Sequence, residues 1–306
     1  MKLKIILVVL IILLLISGCK LRQIQPDVSE PEKIEYRKGT KALEMSFLKN
    51  FPPDKIKAGK EFQVVIEVLN SGAYNIDNLI LSLTGLNEKT TEVIGESKKL
   101  IDLLPGKSIE FPAGSKEIVG YKLRNIKRLP IDKHTELIKI DACYKYQTVA
   151  SADICINPTN QVLQTGQPIC FPDQTISLSG GQGAPVVVTK IEQSTDPVAL
   201  EQGKFELELK FYISNLGKGI VSKEEGCKER GILEIQDISF SDYKLGFDID
   251  CGFKAGNQTL VLSERDNILI CTANIYSQMG AFPTPLIIIL NYWYETSIEK
   301  IIEVIQ

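Results

Sequence analysis

Short runs in which apolar and polar residues alternate recur along most of the chain, separated by turn-forming residues. A period of two places apolar side chains on one face of a β-strand, so these runs predict strands that are buried on one side. No segment shows the 3.6-residue period of a long amphipathic helix. The predicted strands are 62–69, 79–83, 117–123, 137–146, 205–213, 232–238, 259–262, 268–275 and 286–294.

Two pairs of segments resemble each other in the same order along the chain. CYKYQTVASADICI, residues 143–156, matches NYWYETSIEKIIEV, residues 291–304, at a constant offset of 148 (291 − 143). GKEFQVVIEVLNSG, residues 59–72, resembles GKFELELKFYISNLG, residues 203–217, and each ends in Asn-x-Gly. We interpret the first pair as terminal hairpins. The matches predict a duplicated domain over 45–157 and 184–306, with residues 158–183 as a linker.

Several short strands in a unit of this size are typical of a β-sandwich. The order of a strand, an Asn-x-Gly turn, a strand and turns such as PGKSIEF resembles immunoglobulin-like, cell-adhesion-related domains of bacterial and archaeal surface proteins. The run SGGQGAP, residues 179–185, resembles uncharacterised archaeal surface proteins. These resemblances imply an all-β fold with two tandem immunoglobulin-like β-sandwiches in a prokaryotic protein. They favour an archaeal origin and leave a bacterial one open.

The N-terminus carries a short apolar run, residues 5–16, behind two lysines. Twelve helical residues reach about 18 Å, less than the roughly 30 Å hydrocarbon core, which favours a secretory signal over a membrane span. ISGC, residues 16–19, resembles the lipobox of prokaryotic lipoproteins. The resemblance implies a signal peptide over 1–18, a lipid on Cys19 and an extracytoplasmic protein anchored to the cell membrane. An ordinary signal or an uncleaved anchor are the alternatives.

Residues 19–44 are polar, mixed in charge and include two prolines, so we expect a flexible tether there. The whole chain has 35 basic and 38 acidic residues and no basic block, which disfavours a nucleic-acid partner.

Six cysteines remain beside Cys19, and in an exported chain they predict three disulfides. A single histidine and the lack of a CxxC pair disfavour a metal site. We expect Cys143 to bond Cys155 across the hairpin. Cys251 with Cys271, and Cys170 with Cys227, are the pairs we favour for the rest, although the connectivity of these four stays open.

The sequence offers few candidates for chemistry. His134 at a strand entrance is the one candidate base, and we expect it to be solvated. SGGQG, residues 179–183, lacks the lysine of a phosphate loop and indicates a flexible linker. DIDCG, residues 248–252, begins like a calcium loop, but Thr259 stands where a bidentate glutamate is needed. Asn257 in NQT is a candidate glycosylation site. We therefore predict no cofactor and no enzymatic activity.

The alternation of 138–146 places its apolar residues inward, and the 148 offset carries this register to the second unit. Large apolar residues then point outward where the first unit has Lys139, Asp141 and Lys145. Such residues predict a partner surface, unless the linker or the first unit covers them. The predicted surface comprises Ile287, Ile289 and Trp293, with Ile301 and Ile305 from the returning strand.

These features together favour a non-catalytic, lipid-anchored cell-surface protein for adhesion, envelope scaffolding or binding. An accessory subunit of a membrane or envelope complex, docked through the Trp293 face, is the alternative, and an extracytoplasmic enzyme is the third. Partners are then the membrane, through the lipid, and a protein or another component of the envelope.

Overall fold

The computed structural model describes residues 36–126, 132–157, 169–196, 204–240, 249–253, 258–263, 267–276 and 280–305. The predicted signal peptide, Cys19, most of the predicted tether and Asn257 lie outside these residues. Residues 36–306 form one compact unit. The described part of the chain is all-β, as predicted, and contains no helix that could cross a membrane.

Seventeen strands are present in the described residues, and each of the nine predicted runs overlaps one of them. They are β1 (Leu43–Phe47), β2 (Lys55–Lys57), β3 (Glu61–Asn70), β4 (Ile76–Thr84), β5 (Thr91–Ile94), β6 (Lys98–Leu104), β7 (Lys116–Asn125), β8 (Lys133–Ile156), β9 (Gln174–Ser177), β10 (Val186–Asp196), β11 (Lys204–Asn215), β12 (Ile220–Ser222), β13 (Ile232–Phe240), β14 (Ile249–Asp250), β15 (Thr259–Val261), β16 (Asn267–Tyr276) and β17 (Phe282–Ile305).

The strands form three sheets. A central eight-stranded sheet has the order β15-β13-β17-β8-β4-β6 along its main path, and β12 and β2 also pair with β17. A four-stranded sheet has the order β1-β3-β7-β5, and a five-stranded sheet has the order β14-β16-β11-β10-β9. The central sheet therefore contains strands from both halves of the chain.

The two longest strands, β8 and β17, lie at the middle of the central sheet. Each has 24 residues, and they pair antiparallel from Ile156 opposite Phe282 to Lys133 opposite Ile305. At about 3.4 Å per residue each strand spans roughly 80 Å. The two predicted hairpins are therefore wrong. The segment between Tyr146 and Ala152 holds β-branched residues and no glycine, proline or asparagine, so nothing in it forces a turn.

The predicted direction of the side chains on these strands is confirmed. Even-numbered positions face the core, because successive side chains of a strand point to opposite faces. The buried set consists of Ile138, Ile140, Ala142, Tyr144 and Tyr146 on β8 and of Leu286, Ile288, Leu290, Tyr292 and Tyr294 on β17.

Four buried tyrosines lie together at the midpoints of the two long strands. Tyr144 lies opposite Tyr294 and Tyr146 lies opposite Tyr292, and the ring centroids of these pairs are 5.9 and 6.3 Å apart. Lys145 opposite Trp293 marks the centre of this arrangement, and these two positions differ by the offset of the sequence matches, 293 − 145 = 148.

The four-stranded sheet packs on the end of the central sheet where β8 begins and β17 ends. The Leu43 N–H donates to the Tyr144 hydroxyl over 3.4 Å, and the Tyr121 hydroxyl donates to the Leu81 carbonyl over 3.1 Å. β2 pairs with β17 at 303–305 at the same end. The last residues of the chain therefore help to complete the first sandwich-like end.

The five-stranded sheet packs on the opposite end. The Thr148 hydroxyl donates to the Val186 carbonyl over 2.6 Å, and the Gln193 side-chain oxygen accepts the Cys155 N–H over 2.9 Å. Each long strand thus serves both sandwich-like ends. The division into 45–157 and 184–306 stays a prediction, and neither range holds all the core residues of one end.

The segment 179–183, predicted as a flexible linker, makes specific contacts, and its residues Gln182 and Gly183 are buried, so that interpretation is wrong. The Gln182 amide bonds both the N–H and the carbonyl of Val188, at 3.0 and 3.1 Å. The Gly183 carbonyl accepts from the Tyr146 hydroxyl at 3.1 Å. Gly181 has φ +67° and its backbone lies against Gly39, so a side chain there would collide with it. These glycines permit close packing of two backbones.

Three disulfides are present, Cys143–Cys227, Cys155–Cys170 and Cys251–Cys271, and only the last was predicted. The Cys143–Cys155 pair is wrong because both residues lie on the continuous strand β8. Twelve positions along a strand separate them by roughly 40 Å, and a disulfide requires Cα atoms within about 7 Å. The predicted Cys170–Cys227 pair is also wrong, since Cys170 bonds Cys155 and Cys227 bonds Cys143, the two cysteines of β8.

Candidate binding face around Trp293

We use the term outer face for the side of the central sheet that carries the odd-numbered residues of β8 and β17. All five residues of the predicted partner surface lie on it. They do not form one patch, however, because β17 is a single strand and not a hairpin. Ile287 and Ile301 are fourteen positions apart, which is roughly 48 Å. Ile301 and Ile305 therefore lie far from Ile287, Ile289 and Trp293.

Ile301 forms a small exposed apolar patch with Leu137, separate from the residues around Trp293. Ile301 is 66% exposed and lies opposite Leu137, which is 36% exposed. Lys133 and Glu303 flank it with an ion pair of 3.1 Å. An apolar centre with a charged rim is the composition of many transient interfaces.

Trp293 is half-buried on the outer face. Its neighbours across the strands are Lys145 on β8 and Ser222 on β12. The loop 223–231 returns beside it and is held by the disulfide between Cys227 and the outward residue Cys143. Lys145 belongs to the predicted first unit, so that unit supplies one of the two cross-strand neighbours of Trp293.

A polar groove of about 490 Å³ lies next to Trp293 on the outer face. Its floor carries three amides from three different strands: Gln147 of β8, Asn291 of β17 and Gln236 of β13. The Gln147 Nε2 donates to Asn291 Oδ1 at 3.1 Å and to Gln236 Oε1 at 3.3 Å. The Asn291 Nδ2 donates to Gln236 Oε1 at 2.6 Å. The groove is lined by Ala73, Tyr74, Asn75, Asp77, Lys145, Tyr146, Gln147, Gln236 and Asn291.

Two irregularities in the flanking strands shape this groove. The register of β13 shifts between Ile235 and Asp237, which leaves Gln236 outside the ladder and beside Asn291. The register of β4 shifts between Asp77 and Ile80. Bulges of this kind redirect side chains and interrupt pairing. They place Asp77 and Gln236 on opposite sides of the β8–β17 pair.

The charges that line the groove balance. Asp77 is a carboxylate and Lys145 an ammonium, and their backbones are paired across β4 and β8. Tyr74 closes one wall, and its hydroxyl donates to the Val149 carbonyl over 3.2 Å. Burial raises the pKa of Tyr74, although the nearby Arg37 guanidinium opposes this, so the hydroxyl stays protonated as a donor at neutral pH.

The second polar cluster lies inside the first sandwich-like end. His134 is only 11% exposed by side chain, so the expectation of a solvated histidine is wrong, and its Nε2 lies 3.2 Å from Glu136 Oε1. Glu136 is buried and also accepts a hydrogen bond from Thr90. Thr90 and Glu136 are both buried, and His134 keeps only a small exposed fraction. Within the described ranges, no three metal-ligating side chains converge.

The groove was not predicted from the sequence, although the predicted register turns the odd-numbered residue Asn291 outward. Gln147 and Asn291 could be found once the two long strands were paired, because they are directly opposite each other. Gln236 could not, because the bulge that turns it outward has no glycine or proline to mark it.

Comparisons with known proteins identify no family for this chain. No family model matches, and no curated protein matches. Among solved structures, the secreted serine protease VesC from Vibrio cholerae is 10% identical with a TM-score of 0.22, and the alignment covers 81% of this chain and 49% of that one. This chain thus spans about half the length of the protease.

The CupB6 tip adhesin from Pseudomonas aeruginosa is 8% identical with a TM-score of 0.16, over 88% of this chain and 97% of that one. Neither likeness is close enough to indicate a shared fold.

Proposed function

We propose that this chain is an exported, lipid-anchored, non-catalytic surface protein that binds a partner through the outer face of its central sheet. Trp293 carries the proposal, because the chain's single tryptophan lies half-buried in the middle of that face. Tryptophan is the residue type most enriched at the energetic centres of interfaces. Half-buried Ile287 and Ile289 extend the apolar surface beside it. The outer face would then act as the binding face of a surface protein.

The extracytoplasmic location is supported by the disulfides and by the lipobox resemblance at 16–19. All six cysteines after Cys19 are paired, which is typical of an oxidising compartment. Lipid on Cys19 would hold the protein stably only if two or more chains are attached, since each buried CH₂ contributes about 0.8 kcal/mol. Asn257, next to the second sandwich-like end in sequence, would carry a glycan in an archaeal host.

We also propose that the two ends derive from one duplicated, immunoglobulin-like unit. The two Asn-x-Gly turns support this. In each, the Gly N–H donates to the Asn Oδ1 at 3.1 Å, at Asn70–Gly72 and again at Asn215–Gly217. In each, a tyrosine hydroxyl of a long strand lies against the turn glycine, from Tyr146 and Tyr294.

The anchor is tested by mass spectrometry of the N-terminal peptide from membrane-extracted protein. We expect an acylated Cys19 as the first residue, and Cys19→Ala should leave the membrane fraction. An unmodified Cys19, or a chain that still begins at Met1, would contradict the proposal.

The binding face is tested by co-purification from a detergent extract. Trp293→Ser should lose a partner that the wild-type chain retains, with an unchanged melting temperature. Val261→Ser is the matched control, because Val261 is 67% exposed on β15, away from the groove. Equal retention by both variants, or a lower melting temperature of Trp293→Ser alone, would show that Trp293 has no binding role.

The accessory-subunit alternative is favoured by the second apolar patch, Ile301 with Leu137. A subunit would use both patches, so Ile301→Ser should release a stoichiometric membrane partner. A chain that purifies without such a partner supports the free surface protein.

A further inference from the structure

We infer that the polar groove beside Trp293 binds a neutral saccharide, presented as a free oligosaccharide or as part of an envelope polysaccharide. The inference rests on the proposed role as a surface binding protein and names the class of ligand for its outer face. The groove is the amide-lined hollow defined above, centred on Gln147, Gln236 and Asn291.

The three amides hold one another in place and still have hydrogen-bonding capacity to offer. An amide side chain has two N–H donors and an oxygen with two lone pairs. The Gln147 Nε2 uses both donors within the cluster, and the Asn291 Nδ2 uses one. No hydrogen bond within the described residues occupies Gln147 Oε1 or Gln236 Nε2 in this network. An acceptor and a donor therefore face the groove from groups whose orientation is already fixed, which lowers the cost of binding.

This pattern suits the hydroxyls of a sugar ring. Each sugar hydroxyl both donates and accepts, so two adjacent hydroxyls can bond an amide oxygen and a nearby amide N–H together. Asp77 adds an acceptor and Lys145 adds a donor at the side of β4. These two charges offset each other, so the groove does not favour an anion or a cation. The polar lining also differs from the mostly apolar lining of sites for drug-like ligands.

The size and the rim of the groove fit the same ligand. A volume of about 490 Å³ lies within the range of about 300–1,000 Å³ for small-molecule sites. Trp293 lies opposite Lys145 and two residues from Asn291, on the same face. Trp293 is not among the lining residues but neighbours two of them, so a sugar that extends past the groove would meet the indole with its C–H face.

The fold does not need this cluster for its core. The residues that hold the sheets together are on the inner face, while Gln147 and Asn291 point to the outer one. The β13 bulge gives up regular pairing at Gln236, and its result is to bring that side chain into the groove. Bulges are over-represented next to functional sites because they redirect side chains in this way.

The test is saturation-transfer-difference NMR on the full, disulfide-intact chain in a zwitterionic detergent that carries no sugar. The probes are maltose, cellobiose, mannobiose and chitobiose, and a parallel sedimentation assay uses insoluble chitin and cellulose. The variants are Gln236→Ala and Asn291→Ala, which lie on different strands. Gln63→Ala is the matched control, an exposed amide on β3.

We expect saturable binding of at least one probe, weakened about tenfold or more in each groove variant, since one or two hydrogen bonds of about 1 kcal/mol each are lost. Gln63→Ala should bind as the wild type does. Binding in the NMR arm supports a free oligosaccharide, and binding only in the sedimentation arm supports a polysaccharide. Absence of binding to all probes in both arms, or binding that is equal in the groove variants and the wild type, would overturn the inference.

The melting temperatures keep the result interpretable, because both groove substitutions are on the surface and should leave melting unchanged. If one variant unfolds, the other, on a separate strand, decides. A protein that loses its partner in Trp293→Ser but binds no sugar would refute the saccharide inference and leave the proposed function in place. Sugar binding without any Trp293-dependent partner would support the saccharide inference and would count against partner binding through Trp293.

Discussion

Removal of the Cys143–Cys227 disulfide should cost the protein more stability than removal of either other disulfide. The bond joins residues 84 positions apart, and one of them, Cys143, lies near the middle of β8 in the central sheet. A disulfide restricts the unfolded chain more strongly when it closes a longer loop. The other two bonds close loops of only 15 and 20 residues.

The size of the effect follows from these loop lengths. The chain-entropy relation gives about 4.5 kcal/mol for 84 residues, about 3 kcal/mol for 15 and about 3.3 kcal/mol for 20. The Cys155–Cys170 loop lies within the larger one and remains closed in the variant. This shortens the effective loop and lowers the first figure by only about 0.2 kcal/mol. A difference of about 1.3 kcal/mol or more between Cys143–Cys227 and Cys155–Cys170 is therefore expected.

The assay is urea unfolding followed by circular dichroism. The Cys143→Ala/Cys227→Ala variant is compared with Cys155→Ala/Cys170→Ala and with the wild type. Alanine is chosen because it adds no hydroxyl where the cysteines are buried.

Fluorescence of Trp293 supplies a second readout, because it is the chain's single tryptophan and pairs with Ser222, the residue just before the loop that Cys227 holds. Loss of Cys143–Cys227 should release the loop and shift the Trp293 emission to longer wavelength. The Cys251→Ala/Cys271→Ala variant, whose bond lies in the five-stranded sheet, should leave the emission unchanged.

Two results would refute this reasoning. One is a free-energy loss for Cys143→Ala/Cys227→Ala that is equal to or smaller than that of the Cys155–Cys170 variant. The other is non-reducing peptide mapping that joins Cys143 to Cys155, since that bond is incompatible with a continuous β8.

Three further predictions concern single side chains. Tyr146→Phe leaves the buried Gly183 carbonyl and the part-buried Tyr74 N–H without their partner and should lower the free energy of unfolding by about 1–3 kcal/mol in urea; no change would contradict the pairing. Gly72→Ala should destabilise by more than about 2 kcal/mol, because its Cβ would lie 2.6 Å from a backbone carbonyl, whereas Gly180→Ala has open space and should melt as the wild type does. Lys122, with a neighbouring arginine, lowers the pKa of Glu61 to about 2, so the stability from this carboxylate is present above the ordinary glutamate pKa and is lost as pH falls toward 2. An NMR titration of Glu61 should show that midpoint, and Lys122→Met should raise it; an ordinary midpoint in the wild type would refute the pairing.

Local patterns predicted the strands and the direction of their side chains well. The alternation at 138–146 and 286–294 depends only on the two-residue period of a strand and on the burial of apolar side chains, so it could be taken from the sequence. The pairing of Cys251 with Cys271 was likewise predictable, since both lie within one end of the fold.

Predictions that depended on long-range pairing failed. The sequence 143–156 has the same alternation whether it forms a hairpin or one long strand, and only the partner strand decides between them. β17 decides it, because its 24 residues pair with β8 along the whole length. The disulfide partners of Cys143 and Cys155 and the split of the predicted partner surface all follow from that single difference.

The sequence by itself determined that this chain forms β-strands, which side of each strand is buried and how many cysteines are available to pair. Those properties are set by side-chain chemistry over a few neighbouring residues. The tertiary structure decided that two long strands are shared by both ends, that Gly181 and Gly183 are packed against Gly39 and Ala73, and that Gln147, Gln236 and Asn291 meet in one groove. Those contacts join residues far apart in the chain, and their energy depends on the register of strands that no local pattern specifies.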